Sequence, residues 1–130
     1  MKIVNAGIYV KDLEKVKDFF VSYFDAGVSR TINNEESGFH SYILSLDEGA
    51  QIELMNKPGL VDEPKDPNRT GLAHICILTD TREKLDEVIK GFKKDGYTIQ
   101  YEPTSPEGPG EVRAVTIEDI ILEVAYNPGT

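Results

Sequence analysis

Cysteine is nearly absent: Cys76 is the only one in 130 residues. A single thiol excludes an intramolecular disulfide and a zinc cage built from cysteines. Long hydrophobic runs are also missing. No segment approaches the roughly 20 consecutive apolar residues that a membrane-spanning helix needs. Nor does the amino terminus read as a signal peptide, because Asp12, Glu14 and Lys15 interrupt the opening apolar run. The expected compartment is the cytoplasm, with no membrane partner. Positive charge is scarce too. Fourteen Lys and Arg are scattered among 23 Asp and Glu, for a net charge of −9. Nucleic-acid binding draws on clustered cations, so no nucleic-acid partner is expected and a bulky polyanionic substrate is disfavoured. The acidity serves solubility instead.

What is present fits one ordinary domain. Hydrophobic residues make up 39% and charged residues 28%, the profile of a globular chain. A chain of this length buries roughly 65–70% of the surface it exposes when unfolded, enough for a core without staples.

The chain repeats itself. NAGIYVKDLEK, from Asn5 to Lys15, aligns with HICILTDTREK, from His74 to Lys84, at an offset of 69, and Gly27 and Gly96 keep that offset. QIELM, from Gln51, aligns with ILEVA, from Ile121, at an offset of 70, which superposes Glu53 on Glu123. A period near 70 in 130 residues means two modules rather than a solenoid.

Each module reads as βαβββ. Residues 3–10 and 73–79 are β-rich runs bounded by polar residues. Leu13, Val16, Phe20 and Tyr23 form an apolar helical stripe, and Leu85, Val88, Ile89 and Phe92 repeat it. Asp12 is the expected cap of the first helix, and Asp80 with Glu83 reads as a capping box for the second. Gly27 and Gly96 read as helix stops. Strands are expected at about 28–33, 39–46 and 50–56, with Asp47-Glu48-Gly49 as a turn. They recur at about 97–102, 111–117 and 120–126, with a tight turn at Glu118-Asp119. The linker at about 58–70 is rich in Pro, Gly and charge. The expectation is a single α+β domain over 1–130: module 1 at about 1–57, module 2 at about 71–127, and a concave, barrel-like mixed sheet with helices outside.

Strand parity sorts the side chains. Asn5 and His74 fall on the faces of the opening strands away from the helices, and Glu53 and Glu123 on the corresponding faces of the last strands. An ionised carboxylate inside IEL or LEV is costly unless it meets a cation or water. Neither short strand supplies a Lys or Arg. Two glutamates at repeat-equivalent positions therefore point to a shared cation.

These segments, with GFHSYILSLDEGAQIELM and GLAHICI, resemble the vicinal-oxygen-chelate superfamily of glyoxalase I, bleomycin-resistance proteins and dioxygenases, over about residues 2–126. The likeness is to a glyoxalase-like branch. It implies four metal ligands, one each from the first and last strands of both modules, at Asn5, Glu53, His74 and Glu123. Three of these match the family's residue types. Asn5 departs from the usual His or Gln, and its stem is one methylene shorter than Gln. One imidazole with oxygen donors and no thiolate suits Zn, Ni, Co, Mn or Fe(II).

The resemblance implies a metal-dependent glyoxalase I-like lyase or isomerase. It would act on a small-molecule substrate by proton transfer beside a carbonyl, with a metal-stabilised enediolate. Glu123 is then the base and Glu53 its symmetry-related second. The glutathione-specific version is weakened, since the family's arginine four residues after the first ligand is Tyr9 here. Another family arginine falls on Thr70, with Arg69 one residue out of register. The alternatives are a metal-free drug-binding or resistance protein, an epimerase and a thiol transferase. Family custom also implies a homodimer, with the cup closed within one chain or across two.

Other side chains have simpler readings. His74 taken alone is better explained as a core histidine bonded to backbone, and Cys76 as a small buried hydrophobe than as a nucleophile. Tyr9 and His40 are pocket candidates or ordinary aromatic packing. Arg30 and Arg113 are anion grips or solvated arginines. Ser22, Ser41 and Ser45 lack the His-acid context of a triad, and SPEGPGE lacks the ending of a phosphate loop and reads as a flap.

Overall fold

The computed structural model describes residues 1–102 and 111–127. The first half of the chain forms β1 (Asn5–Tyr9), α1 (Leu13–Phe24), β2 (Gly27–Asn34), β3 (Phe39–Ser45) and β4 (Gln51–Asn56). The second repeats the order with β5 (Ile75–Leu78), α2 (Arg82–Lys94), β6 (Gln100–Glu102), β7 (Glu111–Ile117) and β8 (Ile120–Tyr126). The chain divides into two units, Met1–Glu63 and Pro64–Thr130. Each unit holds one mixed four-stranded sheet, ordered β1-β4-β3-β2 in the first and β5-β8-β7-β6 in the second. The α+β class is as the sequence indicates. Neither sheet closes into a barrel, because each ends in edge strands paired on one side only.

The helices form where apolar residues recur at helical spacing. Asp12 caps α1 by accepting the Lys15 N–H at 3.1 Å. Val16, Phe19 and Phe20 of α1 are buried, and so are Leu44, Ile52 and Leu54 of the sheet it packs against. Leu13 and Tyr23, at the ends of the expected stripe, are only half-buried. In the second unit Leu85, Val88 and Phe92 of α2 are buried, as are Val115, Ile117, Leu122 and Val124 of its sheet. Full burial of each such side chain stabilises by about 1.5–3 kcal/mol, so each helix face holds its own unit together.

Two helix boundaries differ from expectation. Thr81, not Asp80, caps α2, accepting the Lys84 N–H at 3.0 Å. The reason lies one residue upstream. Thr79 is still held to the sheet, its N–H donating to the Ala125 carbonyl at 2.8 Å, so the chain leaves the strand one residue too late for Asp80 to cap. At the end of α1, Asp25 takes the left-handed conformation, with φ 55°, and Gly27 instead opens β2. Gly96 does follow α2 with φ 87°. The tight turn between β7 and β8 puts Glu118 at φ 48° and Asp119 at φ 66°, the double left-handed geometry of a two-residue hairpin.

One polar contact ties α1 to its sheet. The Tyr42 hydroxyl on β3 donates to Glu14 Oε1, and Lys17 Nζ lies 5.5 Å from the Tyr42 ring centroid. The hydrogen bond to Glu14 above all, then burial, holds the Tyr42 phenol above its ordinary pKa of 10.0. A raised folded value means the bond stabilises fully below pH 10 and is lost as pH rises through the folded value, when phenolate would face carboxylate. Tyr42→Phe therefore lowers stability by up to about 1 kcal/mol at neutral pH. Denaturant titrations should show the deficit shrinking above pH 10. A deficit that stays constant through the alkaline range contradicts this reading.

Candidate functional site

Register places the candidate residues. In the first unit β1 runs parallel to β4 with Asn5 beside Gln51, Gly7 beside Glu53 and Tyr9 beside Met55. In the second, β5 runs parallel to β8 with Cys76 beside Glu123 and Leu78 beside Ala125. Gly7 and Cys76, like Glu53 and Glu123, are thus equivalent. Asn5 and His74 each stand diagonally from their glutamate, two residues before the one beside it. The two units present the same arrangement on the sheet face away from the helix, since Ile52, Leu54, Leu122 and Val124 fill the other face and are buried.

The second unit brings two candidates together. His74 lies just before β5, and its Nε2 is 3.1 Å from Glu123 Oε1. The Glu123 side chain is 12% exposed and that of His74 47%, so the carboxylate is anchored in the sheet while the imidazole remains accessible. In the first unit Glu53 is half-buried, and its Oε2 accepts the Ser41 hydroxyl at 2.9 Å. Asn5 is exposed on the same face. Among the described residues, no three His, Cys, Asp or Glu side chains are gathered so that they could hold a metal ion.

The pair in the second unit fits a divalent cation. Two donors at ordinary ligand distances of about 2.1 Å lie about 3.0 Å apart when they subtend a right angle at the ion. The 3.1 Å separation of Nε2 and Oε1 is an ion-pair distance close to that edge. The donor types, imidazole nitrogen and carboxylate oxygen, suit the borderline metals of the first transition row.

Small and large residues trade places around the two glutamates. A Cβ on Gly7 would lie 2.9 Å from Met55 Cε, so the thioether folds over the glycine. The equivalent residues in the second unit are Cys76 and Ala125, with the sizes reversed. Cys76 is exposed rather than buried, because it lies on an edge strand on the face opposite α2.

The structure sorts the remaining candidates. Tyr9 shares the Glu53 face, and Lys57 Nζ lies 5.2 Å from its ring centroid. His40 does not share that face. It has the parity of Tyr42 and Leu44, on the α1 side, and its Nδ1 is 2.7 Å from Asn33 Oδ1. Arg30 stands exposed opposite Ile43. Arg113 has the parity of Val124 and borders a cavity with Lys90 and Lys93 on the α2 side, away from His74. SPEGPGE lies outside the described residues except for Glu111. Sequence reasoning missed Ser41 as a partner of Glu53. The signal was available as shared parity between HSYILS and QIELM once a β3–β4 hairpin is assumed.

A cavity of about 300 Å³ opens on the His74 side of the second sheet, lined by Lys65, Arg69, Gln100, Thr116 and Ile121 among others. Ala73, next to His74, also borders it. Its size is at the lower end of small-molecule sites. No helix among the described residues is long and apolar enough to cross a membrane.

Comparison with known proteins gives a consistent relationship. The profile of the Glyoxalase/Bleomycin resistance protein/Dioxygenase superfamily matches residues 5–114. No curated protein matches the chain. Among solved structures, the chain is similar to a glyoxylase/bleomycin resistance protein/dioxygenase domain from a Frankia species, at 20% identity and TM-score 0.78 over 98% of both chains. It is similar to the trypanothione-dependent glyoxalase I of Leishmania major, at 20% identity and TM-score 0.77 over 99% of this chain and 88% of that one. A mutant fosfomycin resistance protein from Listeria monocytogenes, complexed with Mn(II) and a dihydroxypropylphosphonic acid, gives 19% identity and TM-score 0.70 over 95% and 90%. Likeness at these identities shows the fold.

Proposed function

The chain belongs to the Glyoxalase/Bleomycin resistance protein/Dioxygenase superfamily, and from that premise we propose that it is a metal-dependent, glyoxalase I-like lyase or isomerase. The observation that carries the reading is the 3.1 Å approach of His74 Nε2 to Glu123 Oε1, on the sheet face that also bears the 300 Å³ cavity. Glu53, the repeat equivalent of Glu123, is the third ligand, and Asn5 the fourth. When bound, a divalent cation there supplies Lewis-acid polarisation of a substrate carbonyl oxygen.

The protein's own groups do the rest. Glu123 takes a proton from the carbon next to the carbonyl and returns it to the neighbouring carbon. Its position in the sheet favours this, because flanking Leu122 and Val124 are fully buried and the strand is fixed. Glu53 is the second carboxylate of the pair. The cavity beside His74 takes the body of the substrate, with Lys65, Arg69 and Gln100 at its wall. The working form is a homodimer.

The test is a metal-replete activity screen against methylglyoxal combined with several thiols. Turnover that disappears with a chelator and returns with Ni(II) or Zn(II) is the expected result. Purified protein that carries no metal, takes none up and binds small hydrophobic drugs would replace the enzyme with a binding protein.

A further inference from the structure

We propose that the cavity between α2 and β7 is a binding site for a small dianion, a phosphate monoester with a compact apolar body. The cavity holds about 340 Å³, at the lower end of small-molecule sites. Its described walls lie within the second unit, on the α2 side of the sheet and away from His74, so the inference stands apart from the metal site. Lys90 and Lys93 border it from α2, where a spacing of three puts them on one helix face. Arg113 borders it from β7. It is half-buried, in a row whose next members on that face, Val115 and Ile117, are buried. Its guanidinium carries a fork of N–H donors suited to phosphate oxygens. Asp86 also lies at the wall, but its Oδ1 accepts from Arg82 Nε at 3.2 Å. Three cations against one carboxylate leave a local surplus of positive charge in a chain of net charge −9.

The repeat does not demand these cations. At its offset of 69, Lys90 and Lys93 correspond to Val21 and Phe24 of α1. Arg113, beside Val124, corresponds to Tyr42, beside Leu54, whose hydroxyl donates to Glu14. The same scaffold is thus built in the first unit without three cations at these positions. Like charges side by side repel, and a bound dianion relieves that repulsion. A phosphate monoester carries close to two negative charges at neutral pH, where a carboxylate carries one. The rest of the wall is apolar. Leu85 is 1% exposed and Ile89 half-buried, so the body of a monoester has a surface to rest on.

Calorimetry of the full chain with phenyl phosphate, at neutral pH and low ionic strength, tests this. Arg113→Gln should weaken binding about tenfold, the loss expected for a hydrogen bond to a charged group. The double variant Lys90→Gln/Lys93→Gln alters only exposed positions. It should weaken binding to a similar degree, and it carries the test if Arg113→Gln fails to fold. Lys94→Gln is the control. It removes the same charge from the next residue, which does not border the cavity, and should leave affinity unchanged. Inorganic phosphate, with no body to rest on Leu85 and Ile89, should bind about tenfold more weakly than phenyl phosphate. Equal affinity for the two would reduce the ligand to free phosphate and overturn the monoester assignment. An equal loss in Lys94→Gln would ascribe the binding to diffuse charge and overturn the site, as would no binding at all. His74→Ala should keep its affinity for phenyl phosphate whether or not the chain binds metal. Loss of phosphate binding in that variant would place the anion at the metal-ligand candidates and overturn the proposal.

Discussion

Glu123→Gln should lose on the order of a thousandfold in turnover while still binding metal. A positioned general base contributes roughly 10²–10⁴ in rate, so a midpoint loss corresponds to about 4 kcal/mol of transition-state stabilisation. Glutamine has the same shape, and its amide oxygen still ligates, so the Leu122 and Val124 packing beneath it is undisturbed. What it lacks is the ability to take and return a proton. The paired measurement separates the roles of the carboxylate: kcat from steady-state kinetics, metal content from elemental analysis of the same sample. Near-normal kcat with metal bound would move the base elsewhere, with Glu53 the first alternative. Equal loss of metal and activity would make Glu123 a ligand alone.

The second large effect is on metal affinity. Structural zinc sites gain roughly 10–16 kcal/mol from about four ligands, or about 3 kcal/mol per ligand, which is about a hundredfold in affinity. His74→Ala should therefore weaken binding by about that factor. Its Nε2 already lies 3.1 Å from Glu123 Oε1, and losing it leaves the carboxylate without that partner. Glu53→Ala should cost a similar amount. Asn5→Ala should cost much less, since the side chain is exposed and a neutral amide oxygen is a weaker donor than a carboxylate. Competition with a metallochromic indicator resolves these differences. A variant series in which Asn5 matters more than His74 contradicts the assignment.

Much of this was legible in the sequence because strands have a period of two and the chain repeats. Parity in IEL and LEV placed Glu53 and Glu123 on the face opposite the buried leucines, and the register of the parallel strands put each beside its equivalent neighbour. The apolar stripes gave both helices. Other features depended on where a strand ends or which strands pair, and local pattern does not decide those. Asp80 and Thr81 are both competent caps, and the sheet hydrogen bond of Thr79 chose between them. Asp25 accepts a left-handed conformation well enough to end α1 before Gly27 is reached. Cys76 has a composition-based preference for burial, but an edge strand exposes it. His40 is aromatic and near the candidate segment, yet its parity turns it toward α1. Ser41 was passed over because a serine is usually sought as a nucleophile beside a histidine, and here its partner is a carboxylate on the adjacent strand.

The account turns on whether a carboxylate from the first unit works with the imidazole and carboxylate of the second on one ion. Titration of Glu53→Ala with Mn(II), read as bound ions per chain and as affinity, addresses that directly. The account predicts one ion per chain in the wild type and binding about a hundredfold weaker in this variant. Unchanged stoichiometry and affinity would mean that His74 and Glu123 hold their metal without help from Glu53, and the shared site proposed here would not exist.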